Sequence, residues 1–98
     1  TAIIASNDQM ALATLETARA RGVDVPRDLS LISFDDTPIV RFTHPPLTAV
    51  EQPIADVVAC AVKLIIAERA GDAAPDAPIV IPARLSLRQS TAPPRPDR

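Results

Sequence analysis

The sequence predicts an α/β fold assembled from parallel-sheet βαβ units. Three observations carry this: two short apolar runs, each cut off by polar or acidic residues, and a stretch of strong helix formers between them. The first run, Ala2-Ile3-Ile4-Ala5, stops at Ser6-Asn7-Asp8, residue types that favour helix N-caps. Residues 9–21 then set Ala11, Leu15 and Ala18 on one face with Leu12 flanking it, while Thr14, Glu16, Thr17 and residues 19–21 supply the wetter side. Gly22 is placed to end the helix in the left-handed conformation. The second run, Leu29-Ser30-Leu31-Ile32-Ser33-Phe34, is cut off by Asp35-Asp36. Two strands joined through a helix are expected to be parallel, with a right-handed crossover.

The chain beyond is less regular. Residues 37–48 hold Pro38, Pro45 and Pro46 and predict an ordered but irregular loop. A second helix is expected from Pro53, a good first-turn residue, with an apolar face of Ile54, Val57, Val58, Ala61 and Ile65, and Gly71 ends it. The polar stretch 72–78 leads to Ile79-Val80-Ile81, expected as a short strand broken by Pro82, and Leu85-Ser86-Leu87-Arg88 alternates as a half-exposed edge strand would. Residues 92–98, rich in proline and charge, predict a disordered tail unable to pack.

Composition narrows the function classes. With 98 residues, the chain suits one small domain whose core is drawn from Ile, Val, Leu and Ala, since it has two Phe and no Trp or Tyr. A net charge of -2, with cations scattered along the chain, gives no electrostatic footprint for nucleic acid. The single Cys60 excludes an intramolecular disulfide, and no apolar run approaches the length that spans a bilayer, so a cytoplasmic protein without membrane contact is expected. The opening Thr1-Ala2-Ile3-Ile4-Ala5 has neither an initiator Met nor the charged region of a signal peptide, and is expected to be internal to a longer chain.

Parallel strands that both end in polar side chains put those groups on one sheet edge, and in open α/β sheets the ligand crevice lies outside the carboxyl ends of the strands. Asn7, Asp8, Asp35 and Asp36 are therefore candidates for polar contacts with a small molecule. Asn both donates and accepts while ionised Asp only accepts, a set that suits hydroxyl groups better than phosphates or carboxylates, as in a sugar or nucleoside. Against this stand helix capping by Asn7 or Asp8 and a solvated loop start at Asp35-Asp36. A phospho-accepting acidic pocket at Asp35-Asp36 would want a nearby Lys or a bound cation to balance the charge, and the only Lys is Lys63 on the second helix. His44 has no companion at metal-ligand spacing, Cys60 reads as a small hydrophobe, and no serine sits in a nucleophile elbow. No catalytic residue, metal or cofactor is expected.

Four motifs in order resemble the last third of the LacI/GalR repressor family over almost the whole chain. They are Ala5-Ser6-Asn7-Asp8-Gln9-Met10-Ala11-Leu12, then Val25-Pro26-Arg27-Asp28-Leu29-Ser30-Leu31-Ile32-Ser33-Phe34-Asp35-Asp36, then Pro45-Pro46-Leu47-Thr48-Ala49-Val50 with Gln52-Pro53, and Leu85-Ser86-Leu87-Arg88-Gln89-Ser90-Thr91. The resemblance implies a fragment of a periplasmic-binding-protein-like type I (LacI-type) fold: residues 1–91 would be the C-terminal portion of an effector-binding and dimerisation domain, with the N-terminal helix-turn-helix absent. Asp35 would bind hydroxyls of a sugar-like effector, Asn7 would stand at the pocket edge, and Gln52 near the hinge. Met10, Leu12, Ile39 and Phe42 would form a homodimer face, and DNA would be met only through the missing headpiece.

The resemblance also places the second helix and the strand after it in the other lobe, most of which lies outside this chain. Its apolar face would then refold onto the remaining sheet, be swapped with another copy, or stay exposed and prone to aggregation. The aromatic and cationic groups that complete such a pocket lie upstream, so little effector affinity is expected of the chain alone. The alternative is a solute-binding protein of a sugar transport system with the same fold. A small α/β enzyme would need Asp35, Asp36 and His44 together in one cleft.

Overall fold

The computed structural model describes residues 1–96. β1 (Ala2–Ile4), α1 (Asp8–Ala20) and β2 (Ser30–Asp35) form the expected βαβ unit, and β3 (Thr48–Glu51) and β4 (Arg84–Ser86) extend the sheet to the order β1-β2-β3-β4. The first three strands are parallel, with Ile3 opposite Leu31 and Phe34 opposite Val50. β4 is antiparallel to β3, with Val50 opposite Leu85 and Glu51 opposite Arg84. Between β3 and β4 the chain forms α2 (Ile54–Arg69), and the molecule divides into one unit of Thr1–Gln52 plus the segment from Arg84 onward, and a second of Pro53–Ala83.

In the first unit α1 buries the face its spacing predicts, Ala11, Leu15 and Ala18, and packs it on β2. Asn7 caps its start, and Gly22 ends it at φ 70°, a conformation in which a side chain would be strained. Leu31, Val40 and Leu47 are wholly buried, and burying each contributes about 1.5–3 kcal/mol. The side chains of β2 alternate: Leu31 and Ser33 face the core, while Ile32 and Phe34 lie half-buried on the other side of the sheet. That second face, with Ile4 70% and Leu85 57% exposed beside Val50, is apolar and largely bare, whereas a parallel sheet normally has both faces covered.

Three expectations need correction. β3 begins at Thr48, the last residue of the region expected as an irregular loop, and runs through residues for which no element was expected; its four residues are too short to show a period, and the strand exists because the β2 edge pairs with it. Ile79-Val80-Ile81 has β-branched residues but no ladder partner among the described residues, and Val80 is 84% exposed instead of sitting in a strand. The edge strand stops at Ser86, not Arg88. The chain there turns inward: the Arg88 amide donates to Thr48 Oγ1 at 3.0 Å, and buried Ser90 donates its hydroxyl to the Leu31 carbonyl at 2.5 Å while accepting from the Thr48 amide at 2.8 Å.

The start of the proline-rich tail is held to this unit. Ala92 exchanges hydrogen bonds with the Ser30 hydroxyl at 3.1 Å, and Arg95 donates to the Arg27 carbonyl at 3.0 Å and pairs with Asp28. Arg95 supplies the anchor that composition alone does not reveal. Asp97 and Arg98, the end of that predicted tail, lie outside the described residues.

In the second unit α2 starts after Pro53, and Gly71 follows its end at φ 89°. The predicted apolar face is present and uncovered: Ile54, Val57, Val58 and Ile65 are 63%, 47%, 54% and 58% exposed, and no residue of α2 is buried. Val57, Cys60 and Leu64 line a shallow apolar groove with Pro78 and Ile79. A helix apolar around most of its surface normally belongs to an interior.

Candidate functional site at the carboxyl edge of the parallel strands

Because β1, β2 and β3 are parallel, the residues that follow them gather on one edge. Asn7 comes just after β1, Asp35 is the last residue of β2, and Gln52 directly follows β3. The structure thus puts the three expected ligand-binding residues at the edge where open α/β sheets take their ligands. Gln52, exposed, donates from Nε2 to Asp35 Oδ1 at 2.5 Å. Asp35 itself is half-buried and stands at φ 124°, followed by Asp36 at φ 61°, two consecutive non-glycine residues in a sparsely populated backbone region.

Asn7 caps and faces the edge at once. Its Oδ1 accepts from the Met10 amide at 2.9 Å, and its Nδ2 remains the group that can donate to a ligand. The other two polar candidates turn their side chains inward. Asp8 is 5% exposed and its carboxylate is saturated: Oδ1 accepts from the Ser33 hydroxyl, and Oδ2 from the Thr37 amide at 2.7 Å and the Thr37 hydroxyl at 2.5 Å. Burial pushes its pKa up, but the hydrogen bonds from the Ser33 and Thr37 hydroxyls and the Thr37 and Asp36 amides outweigh it and hold the carboxyl below its ordinary value.

Asp36 also turns inward rather than opening a solvated loop. Its side chain is 1% exposed, with Arg88 Nη2 at 2.7 Å from Oδ1 and Arg41 Nη2 at 3.6 Å from Oδ2. The cations that balance Asp36 are therefore the arginines Arg88 and Arg41. Sequence reasoning missed Ser33, Thr37 and Arg88 as partners of these acids. The available signal was the alternation of β2, which turns Ser33 to the buried side with Leu31, where a lone hydroxyl needs a partner.

The expected dimer-face residues all lie in the first unit. Met10, Ile39 and Phe42 are 55%, 54% and 85% exposed, and Leu12 is half-buried. Ile39 belongs to a short 3-10 turn (Pro38–Arg41), and Thr37 just before it is tied by Asp8 to the first turn of α1, where Met10 stands. His44 is exposed, and its carbonyl accepts from Arg19 at 3.0 Å. Cys60 is half-buried in the α2 groove. Among the described residues no group of His, Cys, Asp and Glu could hold a metal ion, and no helix is long and apolar enough to cross a membrane.

The edge therefore offers a strong acceptor in Asp35 and amide donors in Asn7 and Gln52, a set matched to hydroxyl groups. Residues 1–91 match the family described as periplasmic binding protein-like domain. The chain is 41% identical over 92 residues to the HTH-type transcriptional regulator MalR of Streptomyces coelicolor, covering 94% of this chain and 27% of that protein. Among solved structures it superposes on a LacI family transcriptional regulator from Lactobacillus casei with bound sucrose at a TM-score of 0.75 and 30% identity, covering 92% of this chain and 33% of that one. It superposes on a dimeric Lac repressor at a TM-score of 0.84 and 30% identity, covering 93% of this chain and 33% of that one.

Proposed function

This chain belongs to the periplasmic-binding-protein-like domain family, in the LacI/GalR group of transcriptional regulators, and from that premise we propose that it is the effector-sensing and dimer-forming part of such a regulator. The chain spans about a quarter to a third of the length of the relatives it matches, so the remainder of the effector domain and the DNA-binding headpiece are assigned to the rest of a longer protein.

The observation that carries the reading is the trio Asn7, Asp35 and Gln52 at the carboxyl edge of three adjacent parallel strands. Asp35 accepts from ligand hydroxyls, Asn7 donates at the rim, and Gln52, which donates to Asp35, orients that carboxylate beside the effector. The effector is a sugar or a related polyol, a reading supported by this donor and acceptor set and by the bound sucrose of the Lactobacillus casei relative. Effector and operator act on one another through a shared equilibrium: a ligand with different affinities for two arrangements of the regulator shifts their populations and so the fit to DNA. The role is regulatory rather than catalytic, and its place is the cytoplasm.

Met10, Leu12, Ile39 and Phe42 supply the homodimer face; the exposure of Met10, Ile39 and Phe42 in one chain supports this, as does the dimeric state of the C-terminally deleted Lac repressor relative. The bare apolar face of the sheet and the uncovered sides of α2 are the surfaces on which the remainder of the effector domain packs, or in its absence a swapped second copy. The transport-protein alternative is set aside, because the curated relatives are transcriptional regulators.

The test is Asp35→Ala in the full-length protein. Calorimetric titration with sucrose and cellobiose should show binding lost by about a hundredfold or more, as expected when a charge-assisted hydrogen-bond acceptor is removed. Operator binding should be unchanged. Loss of operator binding together with a drop in melting temperature would make Asp35 structural.

A further inference from the structure

We propose that Asp8 and Arg88 are positioning residues for Asp35, holding the two positive-φ residues at and just after the end of β2 through two separate sets of contacts and so fixing the direction in which the Asp35 carboxylate meets a ligand. The inference rests on the reading of Asp35 as the effector-binding acid.

Backbone geometry of this kind persists only where surrounding groups over-determine it. Asp35 stands at φ 124° and Asp36 at φ 61°, without the freedom of glycine. The first set centres on Asp8, the first residue of α1, a helix anchored in the core through Ala11 and Leu15. Its carboxylate grips the chain on both sides of the strained pair, taking the hydroxyl of Ser33 before it and the amide (2.7 Å) and hydroxyl (2.5 Å) of Thr37 after it. In the second set, Arg88 reaches Asp36 Oδ1 at 2.7 Å and is itself fixed, with Nη1 donating to the Leu47 carbonyl at 2.7 Å and its amide to Thr48 Oγ1 at 3.0 Å.

Within residues 33–37 the polar side chains of Ser33, Asp36 and Thr37 are all engaged by these two sets of contacts, while Asp35 bonds to exposed Gln52 alone. The acid that faces a ligand is thus the one that the clamp leaves untied. Neither clamp residue touches the ligand: Asp8 is 5% exposed and its oxygens are occupied, and the Arg88 side chain is 16% exposed and turned to Asp36.

The test compares Thr37→Val, which removes one hydroxyl donor, Thr37→Ser, which restores it, and Asp8→Asn in the full-length protein, reading amide hydrogen exchange residue by residue together with sucrose and cellobiose titrations. Thr37→Val and Asp8→Asn should speed exchange at the Asp36 and Thr37 amides by about tenfold or more while leaving the Leu31 and Ala49 amides protected, as local opening does. Sugar affinity should fall alongside by about tenfold, and Thr37→Ser should restore both readouts. Unchanged exchange at residues 35–37 in Thr37→Val overturns the proposal, as does an equal rise at Leu31, which marks general destabilisation. So does faster local exchange with undiminished sugar affinity. If neither sugar binds the unmodified protein, a sucrose-like or cellobiose-like effector is ruled out for the function proposed above, and the exchange data alone still decide whether the clamp exists.

Discussion

Arg88 meets Asp36 at 2.7 Å in a setting where the aspartate side chain is 1% and the arginine side chain 16% exposed. A second arginine, Arg41, stands 3.6 Å from the same carboxylate with its own side chain 54% exposed. The two cations are unequal in solvent screening, so they are unequal in consequence.

Replacing Arg88 by Met leaves a buried carboxylate facing only the solvated Arg41, and breaking a buried pair in this way costs about 3–5 kcal/mol. Arg41→Ala removes a surface partner and should cost less than about 1 kcal/mol. Urea titrations of both variants check the order. Equal losses would show that burial does not set the two contacts apart, and a larger loss for Arg41→Ala would make Arg41 the main partner of Asp36.

Asp8 sets a pH dependence. Its carboxyl is held below its ordinary value in the folded chain, so the unfolded chain takes up the proton more readily. The stabilisation is therefore fully present above the ordinary carboxylate value of about 3.9 and is lost as pH falls through the lower folded-state value. Urea midpoints followed downward from neutral pH should decline in that acid window, and Asp8→Asn should lower stability at neutral pH and flatten the decline. A variant with the same acid slope as the parent would assign the loss to other carboxylates.

Asn7 carries two separable duties. Asn7→Ala removes the cap of α1 and should cost about 1 kcal/mol. Asn7→Asp keeps the accepting oxygen and should keep stability, yet it replaces the Nδ2 donor with a second acceptor and should weaken sugar binding. Thermal melts and calorimetry on the same pair separate the two.

Phe42 is 85% exposed, so its substitution should not disturb the fold of one chain. Phe42→Glu in the full-length protein should leave melting at low concentration unchanged and move the sedimentation coefficient from dimer toward monomer. A dimer that survives both Phe42→Glu and Met10→Glu would place the interface elsewhere.

The legibility of this molecule in its sequence follows contact range. α1 was readable because its signals are local: a cap at Asn7, the Ala11, Leu15 and Ala18 face, and Gly22 beyond the end. β3 was not, since four residues carry no period and the strand is created by pairing with β2. Ile79-Val80-Ile81 shows the converse, β-branched residues with no neighbouring strand to pair with among the described residues. At the site, strand endings located Asn7 and Asp35, and family resemblance supplied Gln52. The inward turn of Asp8 and Asp36 depends on Ser33, Thr37 and Arg88, of which Ser33 and Arg88 lie 25 and 52 positions from the acids they engage, separations at which pairing leaves no pattern in a single sequence.

The antiparallel pairing of β3 with β4 sets Glu51 directly across from Arg84, so the chain leaves the first unit and re-enters it through neighbouring backbone positions. Topologically, everything from Gln52 to Ala83 is then an insertion in a hairpin. An Asn-Gly dipeptide in its place would close β3 onto β4 as a two-residue turn. The excised protein would retain the four-stranded sheet, α1, the Asp8 and Arg88 contacts and Asp35, and would give up Gln52 alone from the candidate site. Seen this way, the strand connections of the sheet form a chassis with a socket at one rim, into which a different module could be spliced without rewiring the strands.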